Sequence, residues 1–333
     1  MSALELSAAS APEYLLTAGR VTSPPQCREL GGGVSNTVIM AEAGAERVVL
    51  KQALPQLRVK DEWLADRSRI LRERDGLIEA SKLLPAGWVP EVLWSDEENY
   101  IYAMEAFSER AADWKTLLLA GNLNTQHARR AGIALGLTIR GSWRSARVAR
   151  LFSGIRAFDQ LRIDPYYRTI GRRHPEIAQQ VDDWIGEVSE IQVALTHGDW
   201  SPKNMLVDGG RMIFIDYECA HFGDPAYDAA FVLNHLMLKA FHFGSSAYLD
   251  LASVLWTWTL AALPAAALKD LERRTARHLA FLLLARVDGK SPAEYLSPAN
   301  RDVVRKTAKH MIDSRPLTIG GCLGLVQSSA KLQ

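Results

Sequence analysis

The sequence predicts an α+β protein of two lobes, a small β-rich one at the N-terminus and a larger helical one at the C-terminus. Three observations predict it. Short β-branched and apolar runs, paired around turn residues, dominate the chain up to about residue 105. After Phe107 apolar residues recur at helical spacing instead. A chain of 333 residues, 48% of them hydrophobic, is too apolar to be disordered and long enough to fill two packed units. The division is placed at 1–105 and 106–333.

In chain order, residues 37–42 and 47–52 flank Ala43-Gly44-Ala45 and predict a first hairpin. A helix is expected over 62–84, with Leu64, Ile70, Leu71, Leu77 and Ile78 near helical spacing and Pro85 and Gly87 ending it. Residues 92–95 and 100–104, parted by Asp96-Glu97-Glu98-Asn99, form a second hairpin. Helices are expected over 125–142, 228–238, 245–263, 265–284 and 300–312. Between the first two lies a β island, 205–207 and 212–215, around the turn Asp208-Gly209-Gly210. The uncharged stretch 251–268 approaches the length of a membrane span, but Pro264 divides it into two buried helices.

Lys and Arg number 39 against 38 for Asp and Glu, a balance that argues against nucleic-acid binding through a basic surface. Cys27, Cys219 and Cys322 are scattered and odd in number, without metal-type spacing, so they are expected to be free, buried thiols in a reducing cytoplasm. The first residues carry an early Glu5 and no basic stretch, unlike a signal peptide. Neither nucleic acid nor membrane is an expected partner, and a homodimer is left open.

The chemistry concentrates in Thr196-His197-Gly198-Asp199-Trp200-Ser201-Pro202-Lys203-Asn204 and, beyond the β island, Asp216-Tyr217-Glu218. A tight hairpin between them folds Asp216 back toward Asn204. Two hard oxygen donors then face one point, which suits Mg²⁺ held jointly with phosphate. Asp199 is left free to take or orient a hydroxyl proton. Positioning, metal charge and one base are what phosphoryl transfer needs.

These residues resemble the aminoglycoside phosphotransferase and choline kinase family, which shares the protein-kinase fold. His197-Gly198-Asp199 with Asn204 stands where protein kinases have His-Arg-Asp and Asn, and Asp216-Tyr217-Glu218 where they have Asp-Phe-Gly. The resemblance implies ATP and Mg²⁺ as cofactors and a small molecule with a hydroxyl as acceptor. It implies Asp199 as the catalytic residue, His197 as the residue holding the catalytic loop, and Asn204, Asp216 and Glu218 as metal ligands. Asp228, in Gly223-Asp224-Pro225-Ala226-Tyr227-Asp228, is expected to brace that loop. In the N-terminal lobe Gly31-Gly32-Gly33-Val34-Ser35-Asn36 matches the family's glycine-rich turn, with Gly32, Gly33, Ser35 and Asn36 near the phosphates. Lys51 would hold phosphates and pair with Glu73, for which Glu62 and Asp66 are less central alternatives. Met104-Glu105-Ala106-Phe107 resembles the interlobe hinge, whose backbone at Glu105 and Phe107 would meet the adenine edge. Gly289-Lys290-Ser291 lacks the first glycine of a P-loop and is not one.

Lys51-Gln52-Ala53-Leu54-Pro55-Gln56-Leu57-Arg58, with Trp63 and Arg67, locally resembles the methylthioribose kinases of this family. Those kinases usually lack Asn204 and carry paired arginines where Ala285-Arg286 stands here. From His221 onward 13 Lys and Arg face nine Asp and Glu, which disfavours a polycationic aminoglycoside as acceptor. Trp200 and Arg286 are expected to reach the acceptor. Arg286, Asp288 and Lys290 fit a cleft wall or a solvated helix end equally well. The expected activity is transfer of a γ-phosphoryl group to a sugar or amino-alcohol hydroxyl, methylthioribose-like molecules included. An antibiotic kinase and a nucleotide-binding regulatory module are the alternatives.

Overall fold

The computed structural model describes residues 4–31, 35–58, 64–268 and 270–330. Gly32, Gly33, Val34, Glu62 and Trp63, named above, lie outside them.

Five strands form an antiparallel sheet before residue 106: β1 Gln26–Glu29, β2 Asn36–Ala43, β3 Glu46–Ala53, β4 Val92–Asp96 and β5 Ile101–Glu105, in the order β1-β2-β3-β5-β4. Both expected hairpins are present: β2 and β3 extend their apolar runs by one residue at each end, β4 extends its run by one, and β5 is shifted by one. The alternation of side chains gives the sheet two faces. Ile39, Ala41, Leu50, Ile101 and Ala103 pack beneath Leu6, Ala11 and Leu15 of the N-terminal segment. Met40, Val49, Tyr102 and Met104 point the other way into the main core. The helix Ala11–Thr17 and β1 went unpredicted, being too short for a periodic signal.

The helix Arg69–Leu83 covers the core face of the sheet. It starts later than the expected residue 62. The helices Thr125–Ser142, Ala226–Phe243, Ala247–Ala262 and Pro298–Ser314 follow their expected positions. The expected helix over 265–284 is two pieces, Ala265–Leu268 and Leu271–Asp288, with Asp270 left-handed at φ +61° before the second. Among the described residues no helix is long and apolar enough to cross a membrane. Residues 146–189, unassigned from sequence, form short helices, including a π-helical stretch Asp159–Arg168 that contains Pro165. Two small sheets frame the central loops. The island hairpin β8 Met205–Asp208 and β9 Arg211–Phe214 gains β6 Ala112–Asp113, and β7 Ala194–Thr196 pairs with β10 His221–Gly223. Cys219 and Cys322 are buried and Cys27 is half-buried; all three are free thiols.

One apolar cluster runs from Met40 in the sheet to Val326 near the C-terminus, so the strands and helices share a core. Within it, Thr125–Ser142 crosses Ala247–Ala262 at close range. A Cβ on Gly132 would lie 2.3 Å from Leu255 O, so only glycine permits this backbone approach. Gly132→Ala should lower stability by about 1–3 kcal/mol through overpacking. Gly186→Ala, in a helix where an added Cβ meets nothing within 4 Å, should be neutral or slightly stabilising. Paired thermal melts of the two variants check the contrast.

Candidate active site

The island hairpin builds the centre of the site. Its register pairs Met205 with Phe214, and one step further out Ile215 N donates to Asn204 O at 3.1 Å. Asn204 and Asp216 are therefore brought together by strand pairing. Asn204 Nδ2 donates to Asp199 O at 3.0 Å, which leaves its Oδ1 as the free end of the amide. Asp216 sits at φ +75°, a left-handed conformation that an Asp adopts at a cost of order 1 kcal/mol.

Lys51 joins this centre to the sheet. Its Nζ donates to Asp216 Oδ1 at 2.6 Å and to Glu73 Oε1 at 2.5 Å, and all three side chains are buried. Burial alone would discharge the lysine, but Asp216 and then Glu73 outweigh it and keep it cationic. Burial would likewise raise Asp216, yet Lys51 and Lys203 hold it far below the usual carboxylate range. Glu73 is shifted upward, chiefly by burial, and its Oε2 has no partner among the described residues. Asp66 instead accepts from Ser68 N near the start of the helix, and so is not the lysine's partner.

The loop carrying Asp199 is pinned from behind. Asp228 accepts from His197 N at 2.6 Å and from Gly198 N at 2.8 Å. Gly198 has φ +79°, and a Cβ there would lie 2.7 Å from Cys219 O. Asp199 N donates to His197 Nδ1 at 3.1 Å, so the ring proton sits on Nε2, 3.0 Å from Ile215 O. Burial pushes His197 down to about 4, which keeps that neutral tautomer.

Asp199 is not the free carboxylate expected. Its Oδ2 lies 2.6 Å from Arg162 Nη2 and 3.8 Å from Lys203 Nζ. Burial raises its pKa, but Arg162 and then Lys203 more than offset that, so the carboxyl is held below its ordinary value and is ionised. Arg162, on the π-helical stretch, also donates to Gly198 O at 2.8 Å. No motif marked it. Lys203 had a signal, lying four residues after Asp199 within the segment already singled out.

Two further expectations need correction. Glu218 does not face the Asn204–Asp216 centre as a free ligand. Ser35 Oγ donates to it at 3.0 Å, Asn36 Nδ2 at 3.3 Å and Arg69 Nε at 3.2 Å. The side chains of Ser35 and Asn36 are thereby engaged with Glu218. Trp200 is 1% exposed and stacked on Phe214 at 4.7 Å, packed on the side away from solvent with no face for a ligand. Glu105 N donates to Glu91 O at 2.8 Å, which takes up that N–H, and Phe107 is half-buried just beyond. Arg286 binds the Ser291 carbonyl and hydroxyl, Asp288 pairs with Arg305 and His174, and Lys290 with Asp164. Of that trio, Asp288 and Lys290 belong to the helix end.

The arrangement can place an ionised carboxylate beside a two-oxygen metal seat and a buried lysine. Among the described residues no three His, Cys, Asp or Glu converge as a metal cage, so Asn204 and Asp216 could hold a metal only together with oxygens from elsewhere. The chain belongs to the phosphotransferase enzyme family, whose model matches residues 26–252. It is 29% identical over 266 residues to methylthioribose kinase from Yersinia pestis, covering 70% of this chain and 64% of that enzyme. It thus spans just under two thirds of the length of such curated relatives. Similar solved folds include a choline/ethanolamine kinase family protein from Mesorhizobium loti, at TM-score 0.55 and 16% identity over 96% of this chain and 99% of that one. The streptomycin–ATP–APH(2")-IIa ternary complex is another, at TM-score 0.51 and 15% identity over 85% of this chain and 90% of that one.

The His197 geometry carries a pH dependence. An imidazole at about 4 when folded and about 6.5 when unfolded contributes stability that is present above pH 6.5. That contribution is lost as pH falls through 4, about 3 kcal/mol in all. In urea titrations the stability gap between wild type and His197→Asn should narrow by about that amount from pH 7.5 to pH 4. A constant gap would contradict a buried, neutral imidazole at this position.

Proposed function

We propose that the chain is an ATP- and Mg²⁺-dependent kinase for a hydroxyl of a small molecule. The observation that carries this reading is Lys51 clasped between Glu73 and Asp216, beside Asn204. Such a buried cation, tied to two separate elements, suits the α- and β-phosphates of a nucleotide lying against the sheet. The hard oxygens of Asn204 and Asp216 suit Mg²⁺, which would neutralise charge on the transferring phosphoryl group. Glu218 is left out of the metal set because Arg69, Ser35 and Asn36 occupy it.

Asp199 aligns the acceptor hydroxyl in this mechanism. Its depressed pKa makes it a weak base, so proton transfer comes late, once the attacking oxygen has begun to bond to phosphorus. Arg162 fixes the carboxylate's rotamer, and Asp228 and His197 fix the loop that bears it. Residues 1–105 serve as the nucleotide lobe and 106–333 as the catalytic and acceptor lobe. The free thiols support a cytoplasmic setting. The curated relatives make a methylthioribose-like sugar the first acceptor to try. The basic C-terminal third weighs against aminoglycosides.

Metabolite extracts incubated with Mg-ATP and analysed by mass spectrometry test the reading. A phosphorylated product should appear with wild type, and Asp199→Ala should reduce its rate by about 10²–10⁴. Lys51→Met should mainly raise the KM for ATP. Mg-dependent ATP binding without any turnover would turn the reading toward a regulatory module.

A further inference from the structure

The helix Ala226–Phe243 holds a cation that the proposed chemistry does not use. Lys239 is 0% exposed, yet among the described residues no carboxylate lies within ion-pair distance of it. Among the described residues its Nζ has one hydrogen bond, to His235 O at 3.3 Å in the preceding turn, and it stands 5.4 Å from the centre of the Tyr295 ring. A buried ammonium with a single carbonyl partner is costly unless something else satisfies it.

Its surroundings deepen the deficit. The Tyr295 hydroxyl, His235 Nδ1 and Arg286 Nε are buried with no hydrogen-bond partner among the described residues. Arg286 is buried too and among the described residues pairs with no carboxylate, its Nη1 meeting the oxygens of Ser291 and, at 3.4 Å, Tyr166. Burial, then the charges of Lys115 and Arg286, push Lys239 down to about 7, against a small opposing pull from Asp113. Both Asp113 oxygens are already engaged by Thr116. His235 feels Arg286, Lys239, Lys115 and Lys203 together, each lowering it further beyond the effect of burial.

The cluster adjoins the catalytic loop. Lys203, whose charge reaches His235, is the lysine beside Asp199. Phe231, His235 and Lys239 follow at intervals of four along one stripe of the helix. The Phe231 ring lies 5.9 Å from the guanidinium of Arg162, which grips Asp199, and 5.3 Å from the His235 ring. The stripe therefore leads from the carboxylate facing the acceptor hydroxyl to the unpaired cations.

We propose that Lys239, Arg286, His235 and Tyr295 form an anion subsite of the acceptor pocket. It receives a carboxylate or phosphate carried by the same small hydroxylated molecule that Asp199 orients. The inference rests on the kinase reading and narrows its substrate class, from any small alcohol to an anionic one, which sets aside neutral sugars such as methylthioribose itself.

Two measurements on the full chain test it. The first needs no turnover. Melting temperatures of wild type, Lys239→Met and Tyr295→Phe are compared in chloride, acetate and inorganic phosphate at equal ionic strength. In chloride Lys239→Met should melt no lower than wild type, since it replaces an unpaired buried charge by a side chain of similar shape. Acetate or phosphate should then stabilise wild type more than Lys239→Met, with Tyr295→Phe between, and whichever anion is effective tells carboxylate from phosphate. Equal stabilisation of all three proteins overturns the subsite. Should Lys239→Met fail to fold, Tyr295→Phe alone decides.

The second measurement divides a metabolite extract on an anion exchanger and follows labelled phosphate from ATP into each pool. Transfer should occur in the retained pool and fall about a hundredfold in Lys239→Met, with the KM for ATP unchanged. Transfer confined to the unretained pool, or insensitive to Lys239→Met, overturns the proposal while leaving the kinase reading intact. No transfer in either pool counts against the kinase reading, and the melting comparison still decides the subsite.

Discussion

The contact on which the centre depends is the buried ion triad of Lys51, Glu73 and Asp216. Three separate elements meet there: a central strand, the helix lying on it, and the segment leaving the island hairpin. None of the three ions is stable alone in that environment. Removing either carboxylate would weaken the lysine's charge, and removing the lysine would leave two buried anions about one side-chain length apart. The triad thus constrains where the sheet may sit relative to the Asp199 loop. Arg69, reaching from the same helix to Glu218 and to the carbonyls of Ser35 and Leu54, repeats the constraint one turn earlier.

A shared core makes this electrostatic arrangement possible. The Tyr102 and Met104 face of the sheet joins the apolar cluster of the helices without an intervening aqueous layer. Water is largely excluded around Lys51, so its two ion pairs are strong. The same exclusion turns Lys239 from an ordinary surface charge into a group in need of a partner. Pairing and deprivation, some 190 residues apart in sequence, follow from one low-dielectric interior.

Legibility in the sequence tracked locality. Both hairpins, the island and most of the long helices could be read because periodicity and turn residues are local signals. The centre could be read too, since Asn204 and Asp216 are joined by a hairpin only a few residues long. Residues 146–189 could not, because helices of three to twelve residues interrupted by Pro165 never establish a period. Arg162 was hidden there, 37 positions before the carboxylate it holds. Trp200 misled for a different reason. Adjacency in sequence to Asp199 placed it near the chemistry, but successive residues of an extended loop point to opposite sides, and its side went to Phe214. Glu218 was misjudged because nothing local announces Arg69. Lys239 does leave a local signal, a lone charge in a mainly apolar run.

Asp216 takes a backbone conformation that glycine or asparagine would accept more readily, and it does so in the middle of the centre. The carboxylate and the conformation pull the choice of residue in opposite directions at one position. A lineage released from the need for this chemistry would find relaxation immediately available there, through a single replacement that eases the chain as it silences the site. The identity of this one residue in a related chain is therefore a compact record of whether that chain is still under demand to react.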